Sequence, residues 1–540
     1  MSRGLVRQVR RWMAAVSVAR QGRASPAEVL AGFQGFTRRD LLVGAAATSM
    51  VPLVGCRKGF RKNPGNARIV VVGGGLSGLS CLHALAKRGL YAELYEAQSL
   101  VGGRCLTGRD LFQGSNGLPV ELGGQFIDSA HAALLNLVGE LGLSLVDLMS
   151  DVPLQTTYFV EGQRYTEAQL IDCIQPVYDA VDAAWAQIEN NGDTISYQDE
   201  AGAGVYDQMS LAAFLQATDP DPALYKVLQA AYLSEYGLDL EDQSALNLIL
   251  MMATTPGAMA LYGDSDERYK IDGGNDQVCS QLAALYGDQI FHEHALTAIV
   301  QNLDGSNTLV FENGTEVDAD VAVITLPYTV LRQLDLRIEM SDVKKRCIDE
   351  LGYGTSGKLL QPFSRQVWRD AGETGEIYTD LSFQSAWDAT QLSNADIAVL
   401  TNHVAGAAGL NMGATGTVAA TYLGELETIY PGCSAQAGAD PYRVHWPSVP
   451  TAMGSYACYK VGQYTGIGGA EYEAVGNLLF AGEHTSYAWQ GYLNGAVASG
   501  QRAAREVEDL VGGEGRSRAV PRATRRFGRT PPFSRPWDQG

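Results

Sequence analysis

Three glycines with fixed spacing open the chemistry of this chain: Gly73, Gly75 and Gly78, in Gly73-Gly74-Gly75-Leu76-Ser77-Gly78. An acid, Glu96, follows 18 residues after the last of them. This pattern suits a dinucleotide. Gly73 permits a tight turn, Gly75 lets a pyrophosphate approach the backbone, and Gly78 lets a helix pack closely on a strand. The N–H groups at the start of that helix, with its positive dipole end, attract phosphate. Glu96 is placed to accept hydrogen bonds from a ribose.

The elements needed to position these residues are legible around them. Arg68-Ile69-Val70-Val71-Val72 is a β-branched run fit for a buried parallel strand. Leu79, Leu82, Leu85 and Ala86 give a helix from Ser77 to about Arg88, which Gly89 ends. A second strand, Tyr91 to Tyr95, delivers Glu96.

More glycine-rich segments follow: Gly102-Gly103-Arg104, then Glu121-Leu122-Gly123-Gly124-Gln125-Phe126. Near the C-terminus, Phe480-Ala481-Gly482-Glu483-His484 precedes Gly491-Tyr492-Leu493-Asn494-Gly495-Ala496. This reads as a second strand, glycine turn and helix, whose N-terminus would face another part of a long cofactor.

With these blocks in place the chain resembles the flavin-dependent amine oxidases, the family of monoamine, polyamine and L-amino-acid oxidases. The resemblance is carried by 68–127, 268–331 and 446–505. It implies an α/β fold: a Rossmann-like FAD-binding domain with a parallel sheet, interleaved with an α+β substrate-binding domain. The expected divisions are 67–127, 265–339 and 446–511 for FAD, and 128–264 with 340–445 for substrate.

The cofactor so implied is FAD. Gly73, Gly75, Leu76, Ser77 and Gly78 would hold its pyrophosphate, and Glu96 with Ala97 its adenosine ribose. Gly103, Arg104, Gly123, Gly124, Gln125 and Phe126 would lie along phosphates and flavin. Leu296 would meet the adenine, Glu483 the ribityl-phosphate portion, and Gly491, Tyr492, Leu493 and Ala496 the flavin ring. Ser455 stands where mammalian monoamine oxidases have a flavin-linked Cys, so the FAD is expected to be non-covalent. No metal motif competes.

The resemblance also assigns a reacting centre. Lys358 matches a lysine that holds a water beside flavin N5, although a lone Lys in an apolar strand commonly reaches for solvent. Tyr456 and Tyr492 match a pair of rings between which an amine passes. Phe126, Trp489 and Gln490 would line the substrate pocket. Phe126 stands where venom-type L-amino-acid oxidases have a carboxylate-binding Arg, which favours a plain amine. The implied reaction moves a hydride equivalent from the amine's α-carbon to flavin N5. The products are an imine, then an aldehyde with ammonia or a smaller amine, and hydrogen peroxide if oxygen is the acceptor. A redox protein as acceptor, an L-amino-acid oxidase, a desaturase and a non-catalytic flavin-binding electron-transfer lipoprotein remain open alternatives.

Composition bounds these readings. A chain of 540 residues exceeds one ordinary core. Its net charge of −20 argues against nucleic acid as partner. Between residues 63 and 511, 21 Lys and Arg face 56 Asp and Glu, a net charge of −35. Such a body steers cations, although solubility alone explains acidity as well.

The ends are Arg-rich. Arg38-Arg39 precedes an apolar run of fourteen residues, 41–54, too short for a membrane span of about 20. It reads as a bacterial twin-arginine signal peptide, with the export machinery as partner and a periplasmic or cell-surface destination. Leu53-Val54-Gly55-Cys56 resembles a lipoprotein box, which admits a lipid anchor at Cys56. Residues 1–56 are thus the expected signal segment, 57–66 a linker and 512–540 a disordered basic tail. The cysteines form no C-x-x-C pair, and no essential disulfide framework is expected. Residues 166–262 read as mainly helical, and 289–323 as strands with turns at Asp304-Gly305 and Asn313-Gly314.

Overall fold

The computed structural model describes residues 63–152, 154–188 and 195–512. The signal segment, the Cys56 anchor and all of the tail beyond Gly512 lie outside the described residues.

Ile69–Val72 forms the middle strand of a five-stranded parallel sheet. Its neighbours are Ala92–Tyr95 and Val321–Ile324, flanked in turn by Ile290–Phe291 and Leu478–Phe480. Every residue of the middle strand is buried. Ile69 and Val71 enter one apolar cluster while Val70 and Val72 enter another. A strand covered on both faces needs an unbroken apolar run rather than an alternating one.

The first helix runs Leu76–Lys87, one residue earlier at each end than expected. Gly89, at φ +75°, lets the chain leave it, and Leu90 N–H returns to Leu85 O at 3.0 Å. That left-handed turn is open to glycine at little cost. The C-terminal helix, Leu493–Val511, packs against this first helix. Gly500 is the point of contact: a Cβ there would stand 2.3 Å from Ser77 O. Beside it Ser77 Oγ and Ser499 Oγ are 3.2 Å apart.

A second sheet of seven strands lies elsewhere in the chain order. It runs Tyr442–His445, Gly357–Phe363, Ala398–Val404, Ser385–Asp388, Glu373–Thr379, Gln155–Val160 and Gln163–Tyr165. Only Glu373–Thr379 and Gln155–Val160 pair in parallel. A smaller sheet holds Leu296–Gln301, Asn307–Phe311 and Glu316–Ala319, with the turns at Gly305 and Gly314 at φ +86° and +84°.

The described residues of 166–262 are mainly helical as expected, in pieces. One apolar stripe spans Leu170 to Val181, yet the helix breaks between Glu167–Cys173 and Gln175–Trp185. Pro176, in the first turn of the second piece, lacks the N–H that would continue the first. Asp221 caps the longer helix Pro222–Tyr236, accepting from Ala223 and Leu224 N–H at 2.9 and 3.2 Å. The seven cysteines in the described residues are free thiols.

Candidate active site

One cavity of about 2220 Å³ is lined by most of the residues singled out above. Gly73, Gly75, Leu76, Ser77, Glu96, Ala97, Gly103, Arg104 and Leu296 are on its wall. So are Gly123, Gly124, Gln125, Phe126, Glu483, Gly491, Leu493 and Ala496. Lys358, Ser455, Tyr456, Gln490 and Tyr492 line the same space.

Two expected residues do not reach it. Gly78 lies behind the turn, where a Cβ would stand 1.9 Å from Gly73 O; its task is the helix–strand contact. Trp489 corrects the expectation for the pocket. Its ring packs edge-on against His131 and Tyr492, with centroids 4.9 and 6.2 Å apart, and so backs the wall instead of lining it.

The two helix N-termini define what the cavity accepts. Gly75 and Tyr492 occupy the N-cap positions of the first and last helices, and neither helix is capped by a side chain. Uncapped first-turn amides in a cavity are anion-binding groups. Glu96 Oε2 accepts from Gly74 N–H at 2.6 Å and Oε1 from Gln98 N–H at 2.8 Å. Burial raises its pKa, and those two N–H groups pull it back. Arg104 ties the regions together. Its Nη1 donates to Ser455 O at 2.6 Å and to Glu483 Oε1 at 2.8 Å, while Glu483 Oε2 accepts from Gly491 N–H at 2.8 Å. A Cβ on Gly123 would stand 1.8 Å from Arg104 O, so the backbone here is as close as glycine allows. Two uncapped helices, a glycine-lined wall and a buried ribose-type acid fit a dinucleotide cofactor.

Lys358 does not reach for solvent. It is 7% exposed in the Gly357–Phe363 strand. Its Nζ donates to Gly123 O at 2.6 Å and to Glu121 O at 3.3 Å, and sits 5.3 Å from the Trp387 ring centre. Burial lowers its pKa to about 8, against the opposing pull of Glu121. His403 pairs with it across the strands; burial, then Lys358, lowers that imidazole to about 3.

Tyr456 donates to Ser234 O at 2.6 Å and accepts from Ser356 Oγ at 3.3 Å. Tyr492 donates to Glu235 Oε1 at 2.5 Å. Both tyrosines are pushed up by burial. They share the cavity wall without ring contact between them, while Phe126 meets Trp387 edge-on at 5.8 Å. Trp387 Nε1 in turn donates to Gln125 Oε1 at 2.8 Å.

Glu235, Trp387 and a further set of carboxylates, Asp128, Asp264, Asp266, Glu267 and Glu376, were not singled out by sequence reasoning. Trp387 sits in a short strand without a motif. Glu235 had one local signal: the one acid of a largely apolar helix, in its last turn and two residues before Gly237.

The fold and cavity together fit a protein that holds a dinucleotide cofactor between two helix N-termini. The family model described as flavin containing amine oxidoreductase matches residues 76–508, and the chain belongs to that family. FAD is accordingly its cofactor. Among curated proteins, lysine-specific histone demethylase 1 homolog 2 of Oryza sativa subsp. japonica is 26% identical over 473 residues, covering 82% of this chain and 57% of that protein. Flavin-containing amine oxidase A of Equus caballus is 22% identical over 478 residues, covering 82% and 85%. Two solved structures share the fold. Wild-type putrescine oxidase bound to putrescine has a TM-score of 0.71 at 22% identity, covering 82% of this chain and 98% of that one. Cyclohexylamine oxidase from Brevibacterium oxydans IH-35A has a TM-score of 0.71 at 20% identity, covering 83% and 99%.

Proposed function

We propose that this protein oxidises a plain amine at its α-carbon to an imine, which water converts to an aldehyde and ammonia or a smaller amine. Oxygen accepts the electrons in the end and becomes hydrogen peroxide. The observation that carries this reading is a shared cavity: Tyr456, Tyr492 and Lys358 line the same space as the two uncapped helix N-termini. Bound FAD supplies the two-electron acceptor. The chain supplies the rest. The tyrosine faces attract an amine, worth ~0.5–2 kcal/mol for a cation. Lys358 holds a proton at Nζ beside the carbonyls of Gly123 and Glu121.

An amino acid fits less well. Phe126 offers no charge, and Arg104 and Arg268 on the wall are already paired with Glu483 and Asp147, which leaves Arg443, bonded to Met412 O at 3.4 Å, as the arginine a substrate carboxylate would need. Carboxylates on the wall would repel a substrate carboxylate.

Anaerobic mixing with monoamines, diamines, polyamines and L-amino acids tests the reading. One amine class should bleach the flavin rapidly, with L-amino acids much slower. A spectrum that stays oxidised with every amine would remove the proposal, and preferential bleaching by L-amino acids would replace it with that activity.

Ser455 supports dissociable FAD, since its Oγ lies 3.1 Å from Ser356 Oγ and offers no thiol for a flavin thioether. Acid precipitation of the protein should therefore leave the yellow colour in the supernatant. Colour retained in the pellet would show a covalent link made elsewhere.

A further inference from the structure

An ammonium ion has no lone pair to support loss of hydride from its neighbouring carbon. Aliphatic amines have pKa values of about 10, so near neutral pH they arrive charged. The site must therefore either wait for the rare neutral amine or remove a proton itself. We propose, resting on the amine-oxidase reading above, that Glu235 receives the substrate ammonium beside Tyr492 and takes its proton. In that step one N–H bond breaks and one carboxyl O–H bond forms. R–NH3⁺ and carboxylate become R–NH2 and carboxylic acid, with no change in oxidation state.

The geometry gives Glu235 one engaged oxygen and one open to a ligand. Oε1 accepts the Tyr492 hydroxyl at 2.5 Å. No described residue is hydrogen-bonded to Oε2, and the side chain lines the cavity with Tyr456 and Tyr492. The carboxylate is held at the end of the Pro222–Tyr236 helix, where Gly237 turns at φ +76°. A Cβ on that glycine would stand 2.7 Å from Gly354 Cα, so the last turn is pinned against the rest of the site.

The groups around it set its proton affinity. Tyr232 from its own helix, Tyr262 and Glu267 from the segment after it, Asp128, Tyr456 and Tyr492 all interact with it electrostatically. Among these neighbours there is no cation. Burial first, then Asp128, raise the carboxyl, and the Tyr492 hydrogen bond restrains it, leaving it at about 7. A base near the working pH is ionised often enough to accept a proton and basic enough to hold one. The carboxylates Asp128 and Glu376 on the wall draw in the ammonium form over the neutral amine, while burial and these neighbours hold Glu267 toward its neutral form.

The test is the pH dependence of anaerobic flavin reduction, as rate over dissociation constant, for two amines of different pKa. In the wild type the acid limb should lie near pH 7 for both amines. In Glu235→Gln the limb should move to each amine's own pKa, and reduction near pH 7.5 should fall about 100-fold. Tyr492→Phe keeps the carboxylate but removes its donor, so its limb should move above the wild-type position. This second variant keeps the test available if Glu235→Gln does not fold. A wild-type limb that follows each amine's own pKa, or a Glu235→Gln limb that stays near 7, overturns the proposal. Wild-type flavin left unbleached by every amine would instead overturn the functional reading on which it rests.

Discussion

Lys358→Met should slow turnover about 100-fold, the low end of what a positioned proton donor contributes. Methionine keeps the length and apolar bulk of the side chain and removes only the ammonium. What is lost is a buried cation held by Gly123 O and Glu121 O. Because burial brings its pKa to about 8, the group carries a proton below that pH and gives it up readily. Proton donation should therefore fade as pH rises through about 8 in the wild type, and that basic limb should be missing from the variant. Stopped-flow measurement of flavin reduction and of reoxidation by oxygen, taken separately, locates the defect. If both steps stay within twofold of wild type, Lys358 has no part in the chemistry. The sign for stability is opposite to that of an ordinary ion pair. A lysine whose folded pKa is lowered binds its proton less well than the unfolded chain does. It therefore costs stability, fully below about pH 8, and the cost fades as pH rises toward the unfolded value of about 10.

Gly78→Ala should abolish FAD retention. An added Cβ would stand 1.9 Å from Gly73 O and 3.1 Å from Thr325 Oγ1. Neither neighbour is free to yield. Gly73 N–H is bound to Tyr95 O at 2.8 Å, and Thr325 Oγ1 donates to Val72 O at 2.9 Å. The helix must then lift from the sheet, and its first-turn amides leave the wall of the cavity. Overpacking of this kind costs ~1–3 kcal/mol before any loss of ligand is counted. Flavin absorbance per mole of purified protein should fall below a tenth of wild type. The thermal midpoint should drop and should no longer respond to added FAD. Full flavin occupancy in the variant would show that the turn is looser than its geometry states.

The residues readable from sequence share one property: their task is local. Gly73, Gly75, Gly78 and Glu96 act within a single strand–turn–helix–strand unit, so spacing alone reveals them. Lys358, Tyr456 and Tyr492 were legible only through family resemblance, and the cavity gathers all three. Trp489 and Gln490 show the limit. They are adjacent in sequence, yet Gln490 lines the cavity while Trp489 packs behind Tyr492, a difference set by the path of one turn. Glu235 and Trp387 were not legible, because each matters through a partner far away in the chain. Tyr492 lies 257 residues from Glu235, and Gln125 lies 262 from Trp387. No short pattern encodes such a pairing.

The contact between the first and last helices has a consequence for how the molecule is made. Ser77 and Ser499 meet across 422 residues of sequence, and Gly500 leaves no gap against Ser77 O. On a growing polypeptide the glycine turn precedes the opposite wall by those 422 residues. FAD loading should therefore wait for the later segment, and until it is made the first strand and helix are a half-site waiting for their other half.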